Sequence, residues 1–389
     1  MTFKKLIGFL HLWLGLSSGL VVFIISLTGC IYAFKVEIEN ITQPYRFVQS
    51  ENKPFLAPSV LRKSAEKELP DKHVHSVQYE GKGNAAQISF YNETPFYYYT
   101  AFLNPYNGKV LHVKDMKSDF FGFILDGHFY LWLPNEIGQV VVASSTLIFV
   151  VMLISGIILW WPKNKNAVKQ RFWFRWKENI KWKRKNYDLH NIMGFYACWI
   201  AVFLALTGLV WGFEWFSNSV YWVAAGGEPR IPYQEVYSDT TVQSRLSVAP
   251  VDMVFRKLSV EAPQAEAIEI HFPEENKSVI AASTNDDAGT YWRNDYRNFD
   301  QYTLKEIDVK HSWGRIQNAS VADKVVRMNY DIHVGAIFGL AGKCLAFLAS
   351  LVCASLPVTG FCIWLGRKKK KKKLLISSPE NQKRNKIMQ

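Results

Sequence analysis

The sequence predicts an α-helical membrane protein with four transmembrane helices, arranged as a duplicated helix–domain–helix unit, plus two α+β modules outside the bilayer. Three observations predict it. Four stretches contain no Asp, Glu, Lys or Arg and are long enough to cross a bilayer. The basic residues crowd into two segments. A spaced pattern of His, Gly and Thr/Ser recurs in the two halves of the 389-residue chain. Averages hide this: 49% of residues are hydrophobic and 20% charged. That balance still excludes a disordered chain, and five Cys are too few for a disulfide scaffold.

The charge-free stretches are residues 6–34, of 29 residues, then 140–161, 192–213 and 344–365, of 22 each. A spanning helix needs about 20 apolar residues, and in lipid a helix satisfies its own backbone hydrogen bonds. Lys4 and Lys5 precede the first span. The connector 162–185 holds ten basic residues against Glu178 alone, and the tail 367–389 holds ten against Glu380 alone. The loop 35–127 is balanced, with eleven residues of each sign. The positive-inside rule therefore places both termini and the connector in the cytoplasm. Trp160, Trp161, Trp211, Trp215 and Trp364 near the span ends fit interfacial belts. The basic run 367–373 reads as a stop-transfer anchor that attracts anionic lipid, not as a nucleic-acid surface.

Span one compared with span three shows the repeat. His11 is followed by Gly15 and Thr28-Gly29; His190 is followed at the same spacings by Gly194 and Thr207-Gly208. Spans two and four also match, with Gly138, Ser155-Gly156 and Trp160 against Gly342, Thr359-Gly360 and Trp364. A repeat at this scale changes the reading of the whole chain. The segment Leu27-Thr28-Gly29-Cys30 looks like a lipoprotein cleavage box, but the apolar run before it is long for a signal segment. Because the Thr/Ser-Gly pair recurs in all four spans, it reads as a helix-packing contact. The Cys at 30, 198, 344, 353 and 362 all lie in spans and read as small apolar residues.

The predicted order is a first span within 1–35, a module at 36–135, a span at 136–162, the basic loop 163–187, a span at 188–216, a second module at 217–330, a span at 331–366 and the tail 367–389. In the first module the pattern predicts an amphipathic helix at 58–69 and strands at 75–79, 86–91 and 96–102. A turn with Asn-Pro and Asn-Gly signals follows at 104–109. In the second module a helix is predicted at 250–259, with strands at 267–272 and 279–282. Residues 300–304 match the first turn in position, although Leu304 replaces its Gly.

Four of the nine His occupy corresponding places: His11 and His190 near the cytoplasmic face, and His128 and His333 near the outer face. Each face thus offers a pair drawn from two helices. Two imidazoles can hold haem iron axially from opposite sides. Gly15, Gly194, Gly335 and Gly339 would let a flat macrocycle approach. No Cys-x-x-Cys-His occurs, so the haem would be b-type, and two of them would make a transmembrane electron path. Two aligned His per face, without Cys, match haem better than a closed structural zinc site. From His128 to Trp160 a single helix would run about 48 Å, more than the roughly 30 Å hydrocarbon core. A bend is therefore required, and Pro134 is the expected break. Lys343, near the start of span four, either snorkels or pairs with a haem propionate. His73, His75, His112, His271 and His311 read as exposed loop residues.

At these residues the chain resembles the PepSY-associated transmembrane helix family. The resemblance rests on His11-Leu12-Trp13-Leu14-Gly15-Leu16 with Leu27-Thr28-Gly29, and on Ser155-Gly156 with Trp160-Trp161-Pro162. It rests also on Asp188-Leu189-His190 and on Asp331-Ile332-His333 with Gly335 and Gly339. It covers about residues 5–366. It implies a bacterial inner-membrane protein, akin to iron-regulated proteins and haem-carrying ferric-siderophore reductases. PepSY-like periplasmic modules would meet a ferric siderophore, and His11, His128, His190 and His333 would hold two haems b. Some relatives continue into a flavoprotein domain. Here 23 residues follow Gly366, so the expected electron donor is a separate cytoplasmic or membrane component. The redox reading competes with a non-redox PepSY protein that binds peptides or modulates a protease, and with an iron-transport accessory protein. His at matched depths favours the redox reading, since an anchor needs none.

Overall fold

The computed structural model describes residues 2–162, 164–242 and 247–376, with only the backbone at 165–167 and 369–376. Residues 377–389 of the basic tail lie outside that range. The chain opens with α1 (Phe3–Ala33), the short α2 (Lys35–Thr42) and α3 (Pro58–Glu66). Proline starts α3, where the first-turn N–H has no helical acceptor to lose. Strands β1 (Val74–Glu80), β2 (Ala86–Glu93), β3 (Phe96–Leu103) and β4 (Val110–Asp115) follow. Next come α4 (Phe120–Tyr130), α5 (Asn135–Trp160), α6 (Lys165–Phe172) and α7 (Trp182–Asp188). A π-turn over Leu189–Met193 leads into α8 (Gly194–Gly212). The chain continues through α9 (Glu214–Ala224), α10 (Pro250–Glu261), β5 (Ala267–His271), β6 (Ile280–Asn285), β7 (Asp295–Phe299) and β8 (Glu306–Ile307). It then forms α11 (Val321–His333) and α12 (Gly339–Ile376).

The residues divide into two compact units. One takes Met1–Ala33, Asp126–Phe213 and Ala341–Gln389; the other takes Phe34–Leu125 and Glu214–Leu340. Among the described residues, four helical stretches are long and apolar enough to cross a membrane: Phe3–Ala33, Asn135–Trp160, Trp182–Gly212 and Ala336–Lys368, the last entering the first unit at Ala341. Small residues let these helices approach, since lipid gives apolar side chains little reason to cluster. A Cβ on Gly212 would come within 2.7 Å of Ala143, and one on Gly19 within 3.3 Å of Pro357. Leu153, Cys198, Ala201 and Cys353 form a buried seam. The break expected before the second span is present. Helix α4 ends at Tyr130, Leu131 and Trp132 turn left-handed (φ 56° and 57°), and Pro134 caps α5.

In the second unit both loops build one antiparallel sheet, ordered β4-β3-β2-β1-β5-β6-β7-β8. The two halves join where β1 pairs with β5, in register from Ser76↔His271 to Glu80↔Ala267. Alternation along the strands sends Val77, Tyr79, Ile88, Phe90, Ile270 and Ile280 to one face. There they pack on Leu61 and Ala65 of α3 and on Val254, Phe255 and Leu258 of α10. Asp252 of α10 accepts from Ser59 N–H (2.8 Å) and Ser59 Oγ (2.6 Å). This sets a carboxylate at the start of α3, where the helix dipole favours it. The helices and strands expected in the loops fall within three residues of those found.

The missing turn glycine does not abolish the second turn. Leu304 adopts φ 58°, as Gly108 adopts 74°. Leu304 N–H donates to Asp300 O at 2.9 Å, as Gly108 N–H does to Asn104 O. Asp300 Oδ1 accepts from Tyr302 N–H (2.9 Å), copying the Asn104 Oδ1 contact to Tyr106 (2.8 Å). These side-chain bonds offset the roughly 1–2 kcal/mol that a left-handed non-glycine residue costs.

Candidate cofactor site

Each of three predicted His docks on a Thr/Ser-Gly pair from another helix. His11 of α1 places Nδ1 2.8 Å from Ser155 Oγ of α5. His190, in the π-turn, places Nδ1 2.9 Å from Thr359 Oγ1 of α12. His128 of α4 places Nδ1 3.1 Å from Thr28 Oγ1 of α1. The hydroxyl geometry fixes the direction of these bonds. Ser155 Oγ lies 3.1 Å from Met152 O, Thr28 Oγ1 2.8 Å from Ile24 O and Thr359 Oγ1 3.0 Å from Ser355 O. A hydroxyl has one proton, and each gives it back to a carbonyl of its own helix, a habit of Ser and Thr in helices. Its oxygen therefore accepts from imidazole Nδ1–H. The His11 and His190 rings are then Nδ1–H tautomers, which leaves the lone pair on Nε2. The backbone of Ile25 also bonds the His128 ring, and that of Leu356 the His190 ring.

The glycine of each pair clears room for the ring. A Cβ would stand 3.5 Å from His11 Cε1 at Gly156, 3.3 Å from His190 Cε1 at Gly360 and 3.2 Å from His128 Cε1 at Gly29. Three of the four Thr/Ser-Gly pairs, expected as helix-packing contacts, are thus histidine docks. Sequence reasoning noted their fixed place in the repeat but assigned them no partner. Only the crossing of helices shows that the pair of one span serves the His of another.

His11 and His190 line one cavity of about 370 Å³ inside the helical unit, within the roughly 300–1,000 Å³ of small-molecule sites. Gly8, Gly15, Gly19, Gly156, Gly194 and Gly360 give it flat walls. Trp160, also in the wall, lies flat on Phe195, with centroids 3.8 Å apart and planes 9° apart. Its buried Nε1 finds no acceptor among the described residues. Arg367 and Asn191 supply polar groups. The π-turn is itself a pointer, since such turns gather at functional sites. Two bare imidazole nitrogens, glycine walls and a guanidinium fit a flat, apolar macrocycle bearing carboxylates. Trp160 and Arg367 were not anticipated as lining residues.

The other two predicted His stand elsewhere. His128 is docked on Thr28 and does not line the cavity. His333 ends α11 in the other unit. Gly335 and Gly339, expected beside a macrocycle, have left-handed backbone (φ 79° and 58°) and turn the chain between α11 and α12. Among the described residues, no three or more His, Cys, Asp or Glu side chains form a metal-binding group.

No curated protein matches the chain. A family model described as the PepSY-associated TM region matches residues 9–367, taking in His11, Ser155, His190 and Thr359. With four membrane-length apolar helices and a match across nearly its whole length, the chain belongs to this PepSY-associated family of membrane proteins and is a multi-pass membrane protein.

Proposed function

We propose that the protein is an inner-membrane oxidoreductase that holds haem b and passes electrons across the membrane to a periplasmic ferric siderophore, releasing its iron. One observation carries this reading: His11 and His190, from two helices, face one glycine-walled cavity with Nδ1 tied to Ser155 and Thr359. Bound there, haem b supplies a one-electron carrier. The chain's own residues do the rest. The hydroxyls hold each ring in the tautomer whose Nε2 can ligate iron and raise its basicity, as outer partners of metal-bound His do. Arg367 offers charge to a propionate, and the indole N–H of Trp160 offers a further donor.

The positive-inside rule puts the ends of α5 and α12, and with them the cavity, toward the cytoplasm. His128 has the same kind of dock and is carried as a ligand of a second haem. His333 is carried on its matched place in the sequence. The substrate is the Fe(III) of an oxygen-ligated chelate. One electron, supplied by a separate cytoplasmic or membrane donor, gives Fe(II), whose lower charge weakens its hold on hard oxygen ligands.

The test is a reduced-minus-oxidised visible spectrum of the detergent-purified protein, with a pyridine haemochrome assay for stoichiometry. His11→Ala and His190→Ala should remove the same haem signal, and His128→Ala a different one. Fe(II) release from a ferric chelate, read with a coloured Fe(II) trap, should vanish with the haem. Protein made with ample haem yet free of it would overturn the proposal.

A further inference from the structure

We propose that His75 and His271 form an open binding site for a divalent first-row transition cation, on the sheet face opposite α3 and α10. One ligand comes from each loop, across the β1–β5 seam. A β-bulge between Val74 and Ser76 interrupts the alternation of β1, and bulges re-aim side chains in this way. The backbone is anchored there, since Phe272 N–H donates to His75 O at 2.9 Å. The two rings stand perpendicular, with centroids 4.9 Å apart. His75 Nε2 lies 3.2 Å from His271 Nδ1. Two nitrogens each about 2.0–2.1 Å from a tetrahedral metal stand roughly 3.3–3.4 Å apart. The inner nitrogens therefore already have nearly the separation that a shared cation requires.

The outer nitrogens complete the pattern. His75 Nδ1 faces Glu274 Oε1 at 3.4 Å, and His271 Nε2 faces Glu269 Oε1 at 3.5 Å. Metal-bound His characteristically gives its other N–H to a carboxylate. Here both rings have that partner, and each is turned so that its inner nitrogen meets the other. Ser76 Oγ donates to Glu269 Oε1 at 2.9 Å and holds it in place. Glu274 Oε1 also stands 3.4 Å from His73 Nε2. Burial raises the Glu269 carboxyl, but its bonds from His271 and Ser76 outweigh this and keep it below the ordinary glutamate value.

Both rings are about one-third exposed, at 34% and 36%, so a cation has access. With two protein ligands, the remaining positions fall to water or to donor atoms of a bound molecule. Imidazole nitrogen selects Zn²⁺, Fe²⁺, Cu²⁺ or Ni²⁺ over Mg²⁺ or Ca²⁺. The site does not depend on the haem reading, and its test is separate from it.

Full-length protein, stripped with a chelator, would be titrated calorimetrically with Zn²⁺ and, without oxygen, with Fe²⁺. One site per chain is expected. His75→Asn and His271→Asn should each weaken binding at least tenfold, and Glu274→Gln about 10–100-fold. His112→Asn, whose ring stacks on Tyr45 elsewhere in the sheet, should change nothing. Thermal melts would confirm that each variant folds; Glu269→Gln serves if an asparagine variant does not. Absence of stoichiometric binding would mean that the pair is an imidazole–imidazole hydrogen bond only. Binding that survives both asparagine variants in folded protein would also overturn the proposal.

Discussion

Ser155→Ala removes a single hydroxyl from the cavity wall and isolates what the histidine docks contribute. Gly156 keeps its clearance, but His11 Nδ1–H loses its acceptor at 2.8 Å. No other hydrogen bond to that ring is found among the described residues. A buried donor left without an acceptor costs about 1–3 kcal/mol. At about 1.4 kcal/mol per factor of ten, the ligating pose becomes about 5- to 150-fold less populated. Thr359→Val deletes the corresponding hydroxyl at His190, but the Leu356 backbone still bonds that ring. Its loss should stay near a net hydrogen bond, about 0.5–1 kcal/mol or about 2- to 5-fold. The assay is haem transfer from the purified variant to apomyoglobin, followed in the Soret band. Transfer should be fastest from Ser155→Ala, slower from Thr359→Val and slowest from the unsubstituted protein. Redox titration should show a raised midpoint potential in Ser155→Ala, because a ring without its acceptor donates less to iron. Equal effects from the two substitutions, or none from either, would refute the tautomer argument.

The clearances at the docks predict a graded response to alanine. Gly360→Ala puts a Cβ 3.3 Å from His190 Cε1 and should shift the ring and cut haem retention, whereas Gly156→Ala, at 3.5 Å from His11, should be nearly neutral in haemochrome assays. Glu39 is 1% exposed and holds Lys114 (2.8 Å) and Arg46 (3.2 Å). Because Lys114 keeps Asp119 at 3.2 Å, Glu39→Ala should cost about 3 kcal/mol, the lower end for a broken buried pair; a thermal melt shifted by less than 1 °C would contradict this. Stability should also respond to acid through His75. Its folded value lies below 6.5, so the unfolded chain binds more protons below that pH, and the contribution present above it is lost as pH falls. Melting temperature should drop from about pH 7 to about pH 5, and less in His75→Asn; identical slopes would exclude His75 as the source.

How far the sequence could be read varies by element. Spans were legible because 22 or more residues without a charge have few fates other than lipid. Strands β2 and β3 were legible from their alternation and from the turn signals around them. The short α2 was not, because its position depends on Glu39 bonding Lys114 of β4, 75 residues away. The turn at 300–304 shows the opposite failure. Leu304 stands where the first turn has its glycine, yet Asp300 supplies hydrogen bonds that hold the turn with Leu304 left-handed.

The candidate site divides along the same line. Residue type and spacing selected His11, His128, His190 and His333, and excluded covalent haem attachment, because those inferences need only local chemistry and period. Which His shares a cavity, which hydroxyl fixes its tautomer and which indole faces it depend on helices packed across 144 and 169 residues of chain. The meeting of His75 and His271 depends likewise on a strand pairing across 196. Sequence by itself determined the apolar spans, the strand periodicity and the repeated placing of the histidines, since these are properties of a residue and its near neighbours. The cavity, the docks and the joined sheet were decided by tertiary structure alone, because close approach in space between distant segments leaves no periodic trace along the chain.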